Sequence, residues 1–244
     1  MPVNAVILQP SYIPWRGFFH QIHKADVFVF YDDVQFDKRG WRNRNRIKTP
    51  SGPRWLTIPV HSRGHQLQHT PIQSIEISWE TDWNQAHWRT LQQHYHKAPF
   101  FDRYRTLLDL FFSRHDTLLA DFTIDLCIAL ARELGLTKTR FLRSSTLGAT
   151  GTKTDRLVDV LQKIGATHYI TGPSAREYLD ESRLAAAGIS VEYMDYSYPQ
   201  YPQLYPPFDP QVSILDLLFM TGPEAPAYIW GSREVSLPGE ERAA

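Results

Sequence analysis

Seven positive charges stand within seventeen residues: Lys38, Arg39, Arg42, Arg44, Arg46, Lys48 and Arg54, with no acid between the first and the last. Trp41 and Trp55 flank the run, and Asn43 and Asn45 alternate with the arginines. In an extended chain Arg42, Arg44 and Arg46 share one face, and Trp41, Asn43, Asn45 and Ile47 the other. Such a strip suits a polyphosphate, through paired guanidinium contacts, or a nucleic-acid backbone. Because the charge is local, a small phosphorylated ligand is favoured over nucleic acid. Asp32 and Asp33 form a second group. Adjacent carboxylates at the end of a strand hold Mg²⁺ beside phosphates, accept from sugar hydroxyls, or simply cap a turn. In an extended segment they face opposite ways, which places at most one of them in a site.

Two loops carry further candidates. Residues 9–17, QPSYIPWRG, spend two prolines, two aromatics and a glycine between a strand and a helix. That is where open α/β sheets present ligands, and Gln9, Tyr12 and Trp15 are its chemically useful side chains. Residues 144–156, SSTLGATGTKTDR, have the small hydroxyl residues and glycines of a phosphate cradle, with Ser145 early and Lys153 in the first helical turn. The spacing is not that of a Walker A loop. Gly172 opens another strand-to-helix turn. Among ten histidines no metal-binding pattern stands out, and His61, His65 and His69 read as loop residues. His87 is the best placed for acid–base work, near Asp82, Trp83 and Tyr95. Cys127 sits in an apolar helix and reads as buried.

These residues need elements to position them. Apolar runs at residues 3–8 and 26–31 predict buried strands, and residues 16–24 a helix opened by Pro14. Residues 56–60 and 72–77 predict further strands. Three- and four-residue apolar spacing predicts helices over 84–97, 101–113 and 118–134. From there strands at 139–142, 168–171 and 189–194 alternate with helices at 153–164 and 175–186, the pattern of right-handed βαβ units. A Pro/Tyr-rich stretch from Tyr196 reads as extended, and residues 212–220 as a short helix. The expectation is a single α/β domain over residues 1–230. It has a mostly parallel sheet, flanking helices and a helical insertion at about 80–136, followed by a polar tail over 231–244.

Composition narrows the class. The 244 residues carry 26 basic and 26 acidic side chains, 42% hydrophobic residues and one cysteine. A balanced charge excludes a whole-surface polyanion binder, and the hydrophobic content excludes disorder. With no possible internal disulfide, no basic n-region and no apolar run of membrane-spanning length, a cytoplasmic location is expected.

The strings QPSYIPWRGFF, ADVFVFYDDVQF, WRNRNRIK, WLTIPV, SSTLG, KTDRLVDVLQKIGATHYITG and SILDLLF, in that order, resemble the WbqC-like protein family. Its bacterial members often lie in gene clusters for O-antigen, capsule or natural-product assembly. The resemblance carries over Gln9, Pro10, Tyr12, Pro14, Trp15 and Gly17; Asp26, Asp33 and Gln35; and Trp41, Asn43, Arg44 and Asn45. Further along it carries over Lys153, Asp155, Arg156, Gly172, Tyr201, Gln203, Asp216 and Leu217. Members often have His where Tyr198 stands and Asn where Met220 stands. A more distant likeness is to the nucleotidylyltransferase and class I synthetase superfamily (HUP-type). It implies triphosphate handling near Ser144 and Lys153, although Phe18 stands where that superfamily has the histidine directly after its glycine. The combined expectation is a transferase of glycan or secondary-metabolite assembly acting on a phosphate-bearing, nucleotide-linked metabolite. Arg44 and Lys153 grip phosphates, Asn43 and Asn45 position polar groups, Tyr12 or Trp15 stacks on a ring, and Asp33 acts as general base or metal ligand. Two alternatives stay open: Mg²⁺-dependent nucleotidyl or adenylate-forming transfer, and a non-catalytic protein that binds nucleotide sugars or RNA.

Overall fold

The computed structural model describes residues 2–38, 40–61 and 69–231; Arg39, His65 and the tail beyond Gly231 lie outside them. Five strands form a parallel sheet: β1 (Asn4–Leu8), β2 (Val27–Phe30), β5 (Arg140–Arg143), β6 (His168–Thr171) and β7 (Ser190–Tyr193), in the order β5-β2-β1-β6-β7. The chain starts in the centre, moves out through β2 to β5, then returns across β1 to β6 and β7. The winding direction therefore reverses at β1, and the loops leaving β1 and β6 part there to leave a crevice. The expected α/β fold with a mostly parallel sheet is what the chain forms.

The central strands are apolar throughout because helices cover both faces. Val6, Phe28 and Phe30 point into the larger core, and Ala5, Ile7, Val27 and Val29 into the smaller. The larger core is closed by α1 (Arg16–Lys24), α2 (Trp83–Tyr95), α3 (Phe101–Phe112), α4 (Leu119–Glu133) and α7 (Ile214–Thr221). The smaller is closed by α5 (Lys153–Lys163) and α6 (Glu181–Ala186).

Three elements differ from expectation. Residues 72–77 are not a strand: Ile72–Ser74 is a 3₁₀ turn, and only isolated bridges, Val60 to Ile77 and Glu76 to Leu118, continue it. Ile72, Ile75 and Ile77 are all buried, so what looked like alternation is a turn with three inward residues. The helix expected over 175–186 is broken. A 3₁₀ segment, Pro173–Glu177, precedes α6, because the Asp180 carboxylate accepts from the Ser182 N–H at 3.2 Å and starts a new helix. The basic strip forms a hairpin of β3 (Arg44–Thr49) and β4 (Gly52–Thr57), closed by Pro50 and Ser51 with Gly52 at φ 100°.

α7 ends against α3. At Gly222, φ is 53°, and a side chain there would begin 2.4 Å from the Phe100 ring. Gly222→Ala should lower stability by about 2 kcal/mol in urea unfolding, through strain and overpacking together.

Candidate functional site

The loop between β1 and α1 is held in one shape. The Asn45 side-chain amide donates to the carbonyls of Tyr12 at 3.1 Å and Ile13 at 2.9 Å. The Tyr12 N–H donates to the Trp41 carbonyl at 3.1 Å, and the Ile214 N–H to the Pro14 carbonyl at 2.9 Å. Ile13 sits at φ 37°, a conformation that a β-branched residue adopts only when its surroundings impose it. This shape sends Tyr12 inward and leaves Gln9, Ser11, Pro14 and Trp15 facing a cavity of about 440 Å³. The remaining wall comes from Leu8 of β1, Phe18 and Gln21 of α1, Trp41, Arg42 and Asn45, then Tyr196 beyond β7 and Gln211 before α7. The cavity lies at the carboxyl end of β1, where the winding reverses. Trp15 is held there by Gly17, whose missing side chain would begin 2.4 Å from the indole.

Arg42 supplies the charge. Its Nη1 donates to Gln9 Oε1, its Nε is buried with no partner, and it makes no ion pair among the described residues. Burial pulls its pKa down to about 10, against the opposing pull of the Asp37 charge. A partly desolvated guanidinium with no carboxylate in direct contact among the described residues favours an arriving anion. At the rim, the Trp41 and Trp55 rings lie 5.2 Å apart and are 44% and 42% exposed. The Arg44 guanidinium is 4.4 Å from the Trp55 ring centre. Arg46 donates to Gln211 Oε1 at 2.7 Å and so fixes a cavity-wall side chain.

The basic strip is thus divided rather than continuous. Arg42 turns into the cavity, Arg44 and Arg46 lie along the rim, and Lys48 is buried with its ammonium on the Pro207 carbonyl. Asn45 and Ile47 are buried as alternation requires, but Trp41, expected beside them, is exposed because it precedes the strand. Asn43 is buried, donating to the Ile58 carbonyl at 2.8 Å, with its Oδ1 unpartnered.

The two aspartates do not diverge. Both reach the turn after β5. Asp32 accepts from Arg143 Nε at 2.7 Å and from the Ser145 N–H and hydroxyl, each at 3.0 Å. Asp33 accepts from the Ser144 hydroxyl at 2.6 Å and Arg156 Nη2 at 2.5 Å. The chain bends directly after β2, which brings both side chains to one place. These oxygens are engaged by protein donors, and no group of three or more His, Cys, Asp or Glu among the described residues could hold a metal ion. The residues present do not fit a Mg²⁺ site. Lys153 is exposed at φ 51°, Asp155 pairs with Arg183, and Gln35 is exposed and accepts from His69. Gly172 adjoins the cavity from behind: a side chain there would begin 3.2 Å from the Tyr196 hydroxyl.

His87 lies in the core. Its Nδ1 shares a hydrogen bond with the Tyr12 hydroxyl at 2.9 Å, and a further hydrogen bond runs to the Thr57 backbone. Burial holds its pKa down at about 4. Cys127 is likewise buried, 3.2 Å from the Ser11 carbonyl, its thiol pKa raised by burial.

Residues 9–228 match the WbqC-like protein family. The chain belongs to that family. A relative in Mycobacterium tuberculosis (strain ATCC 25618 / H37Rv), named Uncharacterized protein Rv1507c, is 43% identical over 228 residues. The match covers 93% of this chain and 97% of that protein. No solved structure gives a significant match. The WbqC-like match begins at Gln9, the first side chain of the cavity loop, and runs past Tyr196 and Gln211. No helix among the described residues is long and apolar enough to cross a membrane.

Four polar cavity residues are not among the side chains that the sequence singles out: Ser11, Gln21, Tyr196 and Gln211. Gln21 was accessible in principle, since it follows Phe18 by three positions and shares its helix face. Tyr196 and Gln211 carry no local signal.

The His87 environment makes a pH prediction. Its folded pKa is lowered, so below about 6.5 the unfolded chain takes up a proton that the folded chain refuses until about 4. Its contribution is therefore complete above pH 6.5 and is lost as pH falls toward 4, a change of about 3 kcal/mol. Urea unfolding across this window should show a shallower pH slope for His87→Gln than for the native chain.

Proposed function

We propose that this WbqC-like protein is a transferase-like enzyme of bacterial glycan or secondary-metabolite assembly. Its substrate in this reading is a phosphate-bearing, nucleotide-linked metabolite seated in the cavity at the end of β1. The observation that carries the reading is Arg42: a desolvated guanidinium with a free Nε, lining a cavity at the reversal point of a doubly wound sheet. An anionic ligand would complete the hydrogen bonding that the protein leaves unmade.

The roles shift accordingly. Arg42, with Gln9 orienting it, takes the phosphate grip that residue spacing assigned to Arg44 and Lys153. Trp15 and Trp41 offer aromatic surface to a sugar or base, and Asn45 holds the loop instead of touching the ligand. Tyr12 and His87 support the wall from inside. Asp33, paired with Arg156 and hydrogen-bonded by Ser144, is not assigned the chemical step, nor is the exposed Lys153.

A second reading rests on the exposed Trp41–Trp55 pair beside Arg44: a non-catalytic protein that binds nucleotide sugars or RNA across the hairpin. Affinity for single-stranded RNA that falls steeply with salt would favour it.

Calorimetric titration with a panel of nucleoside diphosphate sugars tests the first reading. Arg42→Gln should weaken binding at least about tenfold, the loss expected for a hydrogen-bonded charge contact. Arg44→Ala should weaken it less. Unchanged affinity in Arg42→Gln would overturn the assignment.

A further inference from the structure

Arg42 is not the only unsatisfied group in the cavity. Gln21 is 3% exposed, yet it lines the cavity and its Oε1 is buried with no hydrogen-bond partner. Its Nε2 donates to the Tyr196 hydroxyl at 2.8 Å. Since that hydroxyl oxygen is accepting, its own proton is left to donate, and it has no acceptor among the described residues. Tyr196 also lines the cavity. Burial raises its pKa to about 12, so it keeps that proton at neutral pH.

The pair is held in place on three sides. Gln21 sits on α1 one turn beyond Phe18. The Tyr196 ring packs edge-on against Trp15, with centroids 4.9 Å apart, and its hydroxyl lies against Gly172. Two groups fixed this firmly, both from residues that line the cavity, leave one acceptor and one donor unmet. Turning the amide over exchanges the roles but keeps one of each, because the Tyr196 hydroxyl then donates to Oε1 and leaves an amide N–H facing inward. A buried polar group left without a partner is costly, and occupancy by the right ligand removes that cost.

We infer that Gln21 and Tyr196 form a specificity pole that reads a hydroxyl group of the ligand, with the anion held at Arg42. A hydroxyl both donates and accepts, which is what this pair requires; a carboxylate or a methylene does not meet both demands. The ligand class is therefore a hydroxylated anion, of which a sugar phosphate is the simplest example. The inference rests on the anion reading of Arg42 and adds the second contact that discriminates among anions.

The test compares aldose 1-phosphates with cyclohexyl phosphate, a ring of similar size without hydroxyls, by calorimetry on the full chain. The best aldose 1-phosphate should bind the native protein at least about tenfold more tightly than cyclohexyl phosphate, since sites built around a hydroxyl reject analogues that lack it. In Gln21→Leu that advantage should shrink to about twofold or less while cyclohexyl phosphate affinity is maintained. Tyr196→Phe, which keeps the packed ring, should narrow the gap in the same direction and serves if Gln21→Leu does not fold. An equal preference in the native protein and both variants would overturn the specificity pole while leaving Arg42 intact. Failure of every phosphate to bind the native protein would overturn the anion reading and this inference with it.

Discussion

Two hydrogen bonds from the Asn45 amide, to the carbonyls of Tyr12 and Ile13, hold the loop on which the cavity depends. Ile13 would not keep a left-handed backbone in an unconstrained loop. With it held there, Tyr12 turns into the core to meet His87, and Gln9, Pro14 and Trp15 are left on the other side as wall. The same strand that carries Asn45 binds the start of α7, where the Ser213 N–H donates to the Arg46 carbonyl at 2.8 Å. Hairpin, loop and helix therefore form one rigid frame around the space at the end of β1.

A buried carboxylate braces that frame from below. Asp216, in the first turn of α7, accepts from Tyr95 at 2.7 Å, Tyr201 at 2.8 Å and Gln203 at 2.9 Å. The Tyr95 hydroxyl in turn accepts from the Lys48 N–H of β3 at 2.8 Å. Burial raises the pKa of Asp216, while its three donors and the nearby Lys48 charge oppose that shift. Arg16 plays a parallel part without an acid: it donates to the carbonyls of Pro199 at 2.8 Å and Tyr228 at 3.1 Å and lies over Tyr198. The Pro/Tyr-rich segment, which has no ladder to join, is fastened by these two polar centres. In contrast to Arg42, both are satisfied by the protein itself, which is why neither points to a ligand.

Much of the fold was legible. Continuous apolar strands, amphipathic helices closed by glycine and short βα turns specify a parallel sheet by local rules that tertiary context did not override. The failures have separate causes. The hairpin β3–β4 is polar on its outer face, so hydrophobic alternation was weak there. The break before α6 came from a capping interaction of Asp180, and the turn at Ile72 mimicked a strand because three isoleucines point inward from an irregular segment. The site was legible in part. Gln9, Trp15, Trp41 and Asn45, named from loop position and strand alternation, line the cavity, whereas Asp33, named from a strand end, Lys153, named from a helix start, and His87 do not. Their partners, Arg156 and Ser144 for Asp33 and Tyr12 for His87, lie far away in sequence.

By itself the sequence determined the α/β class, the loop after β1 as a place of interest, and a concentration of positive charge too local for a polyanion-coating surface. Tertiary structure decided which of those charges lines the cavity. Arg42 is turned inward with its Nε buried and unpartnered, while Arg44 lies on an indole, Arg46 on a glutamine and Lys48 on a carbonyl. That choice depends on where β1 ends relative to the hairpin, on Gln21 from α1 and on Tyr196 from beyond β7. Residue spacing cannot encode it, because desolvation and the absence of a partner are properties of three-dimensional surroundings, not of a segment.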